Sequence, residues 1–470
     1  MIRFGTGGWR AVIGDEFTKA NVCLLCQALA NLMQQDKVTD AGIVIGFDRR
    51  FLSREAAGWA AEVFAGNNIH IRLIGREAPT PLIMFTVKRF GTAFGLAITA
   101  SHNPAIYNGI KVFTAGGRDA DADATTRIEQ FIAGVQPSGI RALAVEDALK
   151  GGIIETINPS NAYIDAIIQS INMDAIRGRD LKVGLDPMYG VSRTSLQTIL
   201  MTARCEVEVI HERRDTLFGG RLPSPNVETL NALKQVVLEH HCDLGIATDG
   251  DADRLGIIDN EGKFVHPNQI LVLLYYYLLA HKGWRGPCVR NLATTHMLDR
   301  VAERFGETCY EVPVGFKHIS AKMQETRAVI GGESSGGLTV RGHIPGKDGI
   351  YAAALLVEML AVTGQSLSDL WQEIAGQFGD LQMIELDFRF TEARKQSINQ
   401  SLMTDHQLPV FDLPVNHVSW MDGCKVYFEN GGWIIARFSG TEPLLRIFCE
   451  MPELILAEKT AGELSRYLCL

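Results

Sequence analysis

Apolar and polar positions along this chain alternate between two textures. Short β-branched runs stop abruptly at a polar turn, and longer stretches follow in which apolar residues recur every three or four positions. Gly42-Ile43-Val44-Ile45-Gly46-Phe47-Asp48, Leu181-Lys182-Val183-Gly184-Leu185-Asp186 and Pro287-Cys288-Val289-Arg290-Asn291 each open such a unit. Each unit later produces a second apolar run that enters an unusual loop. Leu96-Ala97-Ile98 leads into Thr99–Pro104, Leu244-Gly245-Ile246-Ala247 into Asp249–Arg254, and Ala328-Val329-Ile330 into the glycine-rich 331–337. Strands alternating with helices at this spacing predict three α/β domains with related sheets. Ligand sites in such sheets gather beyond the carboxyl ends of the strands, so the three loops are expected to share a cleft.

After about residue 376 the pattern changes. Met383–Phe390 alternates strictly, Trp433–Phe438 is a second strand-like run, and 452–470 reads as a closing helix. A separate C-terminal α+β domain is expected. The predicted division is 1–150, 151–262, 263–376 and 377–470, with a hinge near 370–380.

Composition narrows the class. The 470 residues are 46% apolar and 21% charged, with a net charge of −9. That balance suits a globular protein and argues against a general nucleic-acid binder, which carries a basic excess. The longest apolar stretch, 270–280, falls short of the ~20 residues of a membrane-spanning helix. Met1–Trp9 lacks the basic and apolar regions of a secretory signal, so no membrane association and a cytoplasmic setting are expected. The nine cysteines are scattered. Cys23 and Cys26 form a Cys-x-x-Cys pair, but Val22, Leu25, Cys26, Leu29 and Leu32 recur at helical spacing, so both thiols are expected in a core.

The candidate chemistry lies in the loops. Asp249, Asp251 and Asp253 alternate in Asp249-Gly250-Asp251-Ala252-Asp253-Arg254. Three like charges this close are costly without a cation, and oxygen ligands of this kind suit Mg²⁺. The strand-like Leu255–Asp259 that follows rules out an EF-hand continuation. Ser101 lies in Thr99-Ala100-Ser101-His102-Asn103-Pro104, a turn marked by Asn103-Pro104, with Lys111 ten residues on. A hydroxyl that carries a phosphoryl group needs a cation to offset its charge, which ties this loop to the Asp loop. Arg254 could meet either the phosphate or the Ser101 loop. Glu333 and Ser335, flanked by glycines, suit sugar hydroxyls. Arg437, Ser439, Gly440 and Thr441 form a turn suited to gripping phosphate.

These motifs, in this order, together with Gly5-Thr6-Gly7-Gly8-Trp9-Arg10, resemble the α-D-phosphohexomutase superfamily over essentially the whole chain. The resemblance implies four domains around a central cleft and transfer of a phosphoryl group between the 1- and 6-positions of a hexose. It implies that Ser101 is a phosphoserine and that Mg²⁺ is held by that phosphate with Asp249, Asp251 and Asp253. Arg10 and Lys111 then flank the transfer site, His102 orients the loop, and Glu333 with Ser335 holds the sugar. Arg437, Ser439, Gly440 and Thr441 grip the second phosphate, and Gly315-Phe316-Lys317-His318 resembles a sugar-binding loop. Gly337 stands where dual-specificity members often carry His, and Lys347-Asp348-Gly349 is similar to a phosphoglucomutase stretch supplying an acid/base, so glucose is favoured over mannose or an amino sugar. One acidic residue in the Glu333 loop, where glucose-specific members usually have two, departs from that pattern.

The expected mechanism uses phosphorylated Ser101, Arg10 and Mg²⁺, with Lys111 or Lys347 handling the proton, and passes through glucose 1,6-bisphosphate. The expected partners are hexose phosphates, and the chain a monomer or homodimer. Two rivals are a Mg²⁺-dependent phosphatase with an Asp nucleophile and a non-catalytic sugar-phosphate sensor.

Overall fold

The computed structural model describes residues 2–5, 8–439 and 444–470. Four sheets are present among them. The first runs, in spatial order, Trp9–Val12, Tyr107–Thr114, Phe94–Ile98, Ile43–Phe47, Ile71–Ile74 and Ile154–Ile157, with Arg118–Asp119 paired outside this path. The second runs Phe264–Val265, Leu255–Asp259, Leu244–Thr248, Lys182–Asp186 and Glu206–Val209. The third runs Cys309–Val312, Cys288–Asn291, Ile330–Gly332 and Leu338–Val340.

One pattern recurs in all three. The opening β-branched strand lies between two parallel neighbours, and one of these turns back as an antiparallel hairpin. The hairpin tips are the three loops singled out in the sequence: 99–106, 249–254 and 333–337. The weak sequence repeat is therefore a repeat of topology. The strand Ile154–Ile157, on the second-domain side of the expected boundary at 150, pairs in parallel with Ile71–Ile74 and completes the first sheet.

The fourth sheet is antiparallel throughout, in the order Gln382–Arg389, Leu444–Met451, Trp433–Phe438, Cys424–Phe428 and Val415–Ser419. The closing helix, Leu454–Tyr467, packs on it. Its alternation of intermediate and exposed positions along Gln382–Arg389 matches the period-two pattern of the sequence.

The cores are divided unequally. The second and third domains share one continuous cluster, which also takes in Leu82, Ile83 and Met84 of the first. The C-terminal domain has its own core and meets the rest through a small cluster of Leu292, Ala293, Trp433, Ile435 and Phe448. Among the described residues no single helix is long and apolar enough to cross a membrane. The bent pair Gly349–Thr363 and Leu367–Phe378, meeting at 80°, contributes Leu355, Leu356, Leu370 and Ile374 to the shared core. Cys23 and Cys26 are buried in the helix Lys19–Gln35, and burial pushes the Cys26 thiol well up, as a packing role requires.

Candidate functional site

The Ser101 hairpin tip is built to present one hydroxyl. Ser101 adopts φ +54, a left-handed conformation that costs a non-glycine residue energy and persists only where neighbours impose it. Arg50 is the principal neighbour. Its guanidinium is 1% exposed and donates to the carbonyls of Ser101 and Asn103 at 2.6 Å, Pro104 at 2.9 Å and Tyr107 at 3.1 Å. Asp48, at the end of the first β-branched strand, accepts from the Thr99 hydroxyl at 2.6 Å, and the Thr99 oxygen accepts from the Ser101 N–H at 2.8 Å. The Ser101 hydroxyl, fully buried, donates to Asp249 Oδ2 at 2.9 Å.

The Asp loop turns rather than running extended, with Ala252 at φ +63. It nevertheless gathers Asp249, Asp251 and Asp253, all buried, with a ligand oxygen of each within 4.8 Å of the others. Burial, together with the charges of Asp251 and Asp253, raises the Asp249 pKa well above its ordinary value. Lys111 Nζ meets Asp251 Oδ2 and Asp253 Oδ2, each at 2.6 Å, and Thr80 donates to Asp251 Oδ2 at 2.6 Å. Burial would lower the Lys111 pKa, but these two carboxylates outweigh it and raise it, so the ammonium stays charged. Among the described residues Asp251 Oδ1 and Asp253 Oδ1 are buried without a hydrogen-bond partner. Unsatisfied buried carboxylate oxygens on clustered hard ligands fit a divalent cation.

The 333–337 hairpin leans on the Asp249–Arg254 loop. The Gly336 carbonyl accepts from the Leu255 N–H at 3.1 Å, and Gly336 sits at φ +90 with its would-be Cβ 2.7 Å from the Leu255 carbonyl, so glycine is required. Glu333 Oε1 accepts from the Asn291 amide at 3.3 Å, and Oε2 from the Ser335 hydroxyl at 3.3 Å. Lys347 Nζ lies 3.0 Å from Asp253 Oδ2, and its stem fills the space beside Gly337, where a Cβ would come 2.2 Å from Lys347 Cδ.

These loops line a common cleft. Among the described residues six cations face it, Arg10, Lys111, Arg254, Lys347, Arg437 and Arg446, against two carboxylates, Asp119 and Glu333. The excess, above a buried Asp cluster, makes the cleft a site for anions. Arg10 donates to Asn103 Oδ1 at 2.6 Å, so it is tied to the Ser101 loop. Burial and the charge of Arg254 lower its pKa. Arg254 Nε, 4.0 Å from Asp253 Oδ1, and Arg437 Nε are buried without a hydrogen-bond partner among the described residues, and Arg437 Nη2 lies 3.4 Å from Asp422. Ser439 lines the cleft too, whereas Gly440 and Thr441 lie outside the described residues.

Two sequence expectations are revised in detail. His102 lines the cleft, but its buried Nδ1 has no hydrogen-bond partner. Burial, then Arg254 and Arg10, push its pKa well below 6.5, so it is neutral, and the loop is oriented by Arg50 and Asp48 instead. In the 315–318 turn, Gly315 and Phe316 line the cleft, Lys317 lines a smaller adjoining cavity that shares Lys111 and Asp119, and His318 lines neither. Sequence reasoning missed Asp48, Arg50, Thr80, Asp119, Asn291 and Arg446. Only Asp48 and Asn291 carried a signal, each as the polar end of an opening strand.

Comparison with known proteins accounts for the whole arrangement. Four domain models match, described as phosphoglucomutase/phosphomannomutase alpha/beta/alpha domains I, II and III and the C-terminal domain, over residues 1–138, 161–262, 266–378 and 389–466. A Thermococcus kodakarensis phosphoglucomutase/phosphomannomutase is 28% identical over 95% of this chain and 94% of its own length. A Sulfurisphaera tokodaii phosphoglucosamine/phosphogalactosamine mutase is 26% identical over 98% of each. A solved Thermus thermophilus chain carrying the name putative phosphomannomutase superposes with a TM-score of 0.85 at 30% identity, covering 100% of this chain and 99% of its own. The chain belongs to the phosphoglucomutase/phosphomannomutase family of the α-D-phosphohexomutase superfamily, whose members are intramolecular phosphotransferases.

Proposed function

We propose that this phosphohexomutase interconverts glucose 1-phosphate and glucose 6-phosphate through phosphorylated Ser101 and enzyme-bound glucose 1,6-bisphosphate. The observation that carries the reading is the Ser101 hydroxyl on Asp249 Oδ2, above three gathered aspartates and at one wall of a cation-lined cleft.

Asp249, Asp251 and Asp253, with the phosphate of Ser101, are the residues that would hold Mg²⁺, which supplies compensation for the charge of the phosphoryl group. In the forward direction the bond from phosphorus to Ser101 Oγ breaks and a bond from phosphorus to a sugar oxygen forms. Lys347 or Lys111, both of which meet Asp253 at the floor of the cleft, takes the proton of that sugar hydroxyl, and Arg10 offsets charge. The departing Ser101 oxygen takes up a proton from water, and Asp249 then accepts the hydrogen bond of the regenerated Ser101 hydroxyl, as it does in the structure.

The bisphosphate must turn end for end before its other phosphate can return to Ser101. Arg437 and Ser439, with Gly440 and Thr441, serve as the second phosphate grip, exchanging one phosphate for the other, and Glu333 with Ser335 holds ring hydroxyls in both orientations. A hinge at 370–380 lets the C-terminal domain loosen during the turn. Gly379, at φ +78 directly after the helix Leu367–Phe378, supports that position.

Glucose is favoured because Lys347 fills the space beside Gly337 that a histidine side chain would need. The named activities of the relatives span glucose, mannose and amino sugars, so the test compares them. ³¹P NMR of the protein with Mg²⁺, a trace of glucose 1,6-bisphosphate and equal glucose, mannose and glucosamine 1-phosphates should show glucose 6-phosphate growing fastest, without inorganic phosphate. Faster growth of another 6-phosphate would overturn the sugar preference, and release of inorganic phosphate alone would favour a phosphatase.

A further inference from the structure

A second cavity opens between the first and third domains, away from Ser101. Its walls are apolar, formed by Met323, Val340, Ile344 and Pro345, and its mouth carries three exposed cations, Lys88, Arg118 and Arg341. Among the described residues no carboxylate lines it. The three cations make hydrogen bonds only to neutral oxygens among the described residues. Lys88 donates to the His343 carbonyl, Arg118 to the Gln324 side chain at 2.7 Å, and Arg341 to the carbonyls of Arg327 at 3.0 Å and Arg285 at 3.1 Å. In a chain of net charge −9, three cations without an ion-pair partner among the described residues, set around an apolar hollow, form a local field of the opposite sign. Apolar concavities with a few convergent polar groups are the usual form of a small-molecule site.

We infer that this cavity binds a small organic anion with a short apolar body, separate from the sugar phosphate in the cleft. The body lies against Met323, Val340 and Ile344, and the anionic head meets Arg118, Arg341 and Lys88.

The walls continue into the catalytic cleft. His343 Nε2 pairs with Asp348 Oδ2 at 2.6 Å, and Asp348 caps the helix Gly349–Thr363 directly after Lys347. Ser320 holds the Pro345 carbonyl at 2.6 Å from the helix Phe316–Thr326, whose first residue lines the cleft. Arg118 directly precedes Asp119, another cleft residue. An occupant therefore bears on Lys347 and Asp119 from behind, and the site is an effector site. Gly346, next to Lys347, packs closely against Met84 of the first domain, where a Cβ would lie 1.9 Å from Met84 Cε.

The test is titration of the full-length protein with hexanoate and with hexyl phosphate, followed by calorimetry, while saturating glucose 1,6-bisphosphate fills the cleft. Hexanol and inorganic phosphate serve as controls for the body and the head alone. Saturable binding of hexanoate or hexyl phosphate is expected, at least tenfold weaker in the Arg118→Gln/Arg341→Gln double variant and lost in Ala115→Trp, which plugs the mouth. Which of the two probes binds more tightly distinguishes a carboxylate from a phosphate ligand. The tighter probe should change KM or kcat at least twofold in the wild-type protein and not in the double variant. Absence of saturable binding with the cleft filled, or equal binding to the wild-type protein and both variants, would overturn the inference. The calorimetry does not depend on the mutase reading, so the two can fail separately.

Discussion

The two ends of the cleft are built differently. At the Ser101 end, the groups that face the reaction are buried and held by polar partners from distant segments. Arg50 holds four carbonyls of the loop, Thr99 and Asp48 hold Ser101, and Lys111 and Thr80 hold Asp251. Phe218 of the second domain even covers the Arg50 guanidinium, 4.8 Å from its ring centre. At the Arg437 end, a separately cored sheet meets the rest through a small apolar cluster and a polar seam, with Lys425 Nζ on the Leu292 carbonyl and on Glu311 at 2.7 Å each, the Val314 N–H on Asp422 at 2.9 Å and the His296 N–H on Glu450 at 2.8 Å, while Arg437 itself has its ion pair, at 3.4 Å, with Asp422 of its own domain. In the proposed mechanism the difference follows from what each end must do. Phosphoryl transfer gains from fixed geometry, whereas a grip that exchanges one phosphate for another must release.

The sharpest way to break this comparison is Ser101→Ala. It should lower kcat/KM by at least about 10⁴-fold, as loss of a nucleophile does, with the melting temperature unchanged. Retained activity would move the chemistry elsewhere. Next, Arg50→Lys keeps the charge but loses the planar fork that reaches four carbonyls. A fall in kcat of about 10²-fold with KM little altered is expected, together with faster amide exchange across 99–107. Full activity in that variant would show that the Ser101 end does not depend on being rigid. At the other end, Arg437→Gln should raise KM for the sugar phosphate by about tenfold while leaving kcat nearly intact, because it removes binding shared by ground and transition states. A loss confined to kcat would place Arg437 in the chemistry.

The smallest effect concerns the tie between the ends. Burial, then the charge of Arg290, lowers the His296 pKa to about 3 at the interface with the C-terminal sheet. Below pH 6.5 the unfolded chain binds a proton that the folded one refuses until about pH 3, so stability is lost as pH falls through that window. Between pH 6.5 and 5.5 the loss should be on the order of 1 kcal/mol, measured by thermal melts, and smaller in His296→Asn.

Much of this was legible in the sequence because the loops carry their own punctuation. Asn103-Pro104, the alternating aspartates and the glycines around Glu333 mark turns after apolar strands, and the hairpin return sets Lys111 opposite Ala97, on the strand that leads into the Ser101 loop. Arg50 was illegible for a physical reason. It follows Arg49 in what reads as a solvated polar turn, and only tertiary packing makes it buried. Thr80 lies 171 positions from its partner Asp251, beyond any local pattern. The strand Ile154–Ile157 fell on the far side of the expected boundary because a short edge strand with exposed Glu155 and Thr156 carries a weak apolar signal.

The most direct test of the account is to treat the protein with Mg²⁺ and glucose 1,6-bisphosphate carrying labelled phosphates, map the label by peptide mass spectrometry, and then add unlabelled glucose 6-phosphate. Label on the Ser101 peptide that the sugar removes, in the wild-type protein and in Arg437→Gln at saturating sugar alike, is the predicted result. Label on another residue, or label on Ser101 that no sugar phosphate displaces, would contradict it.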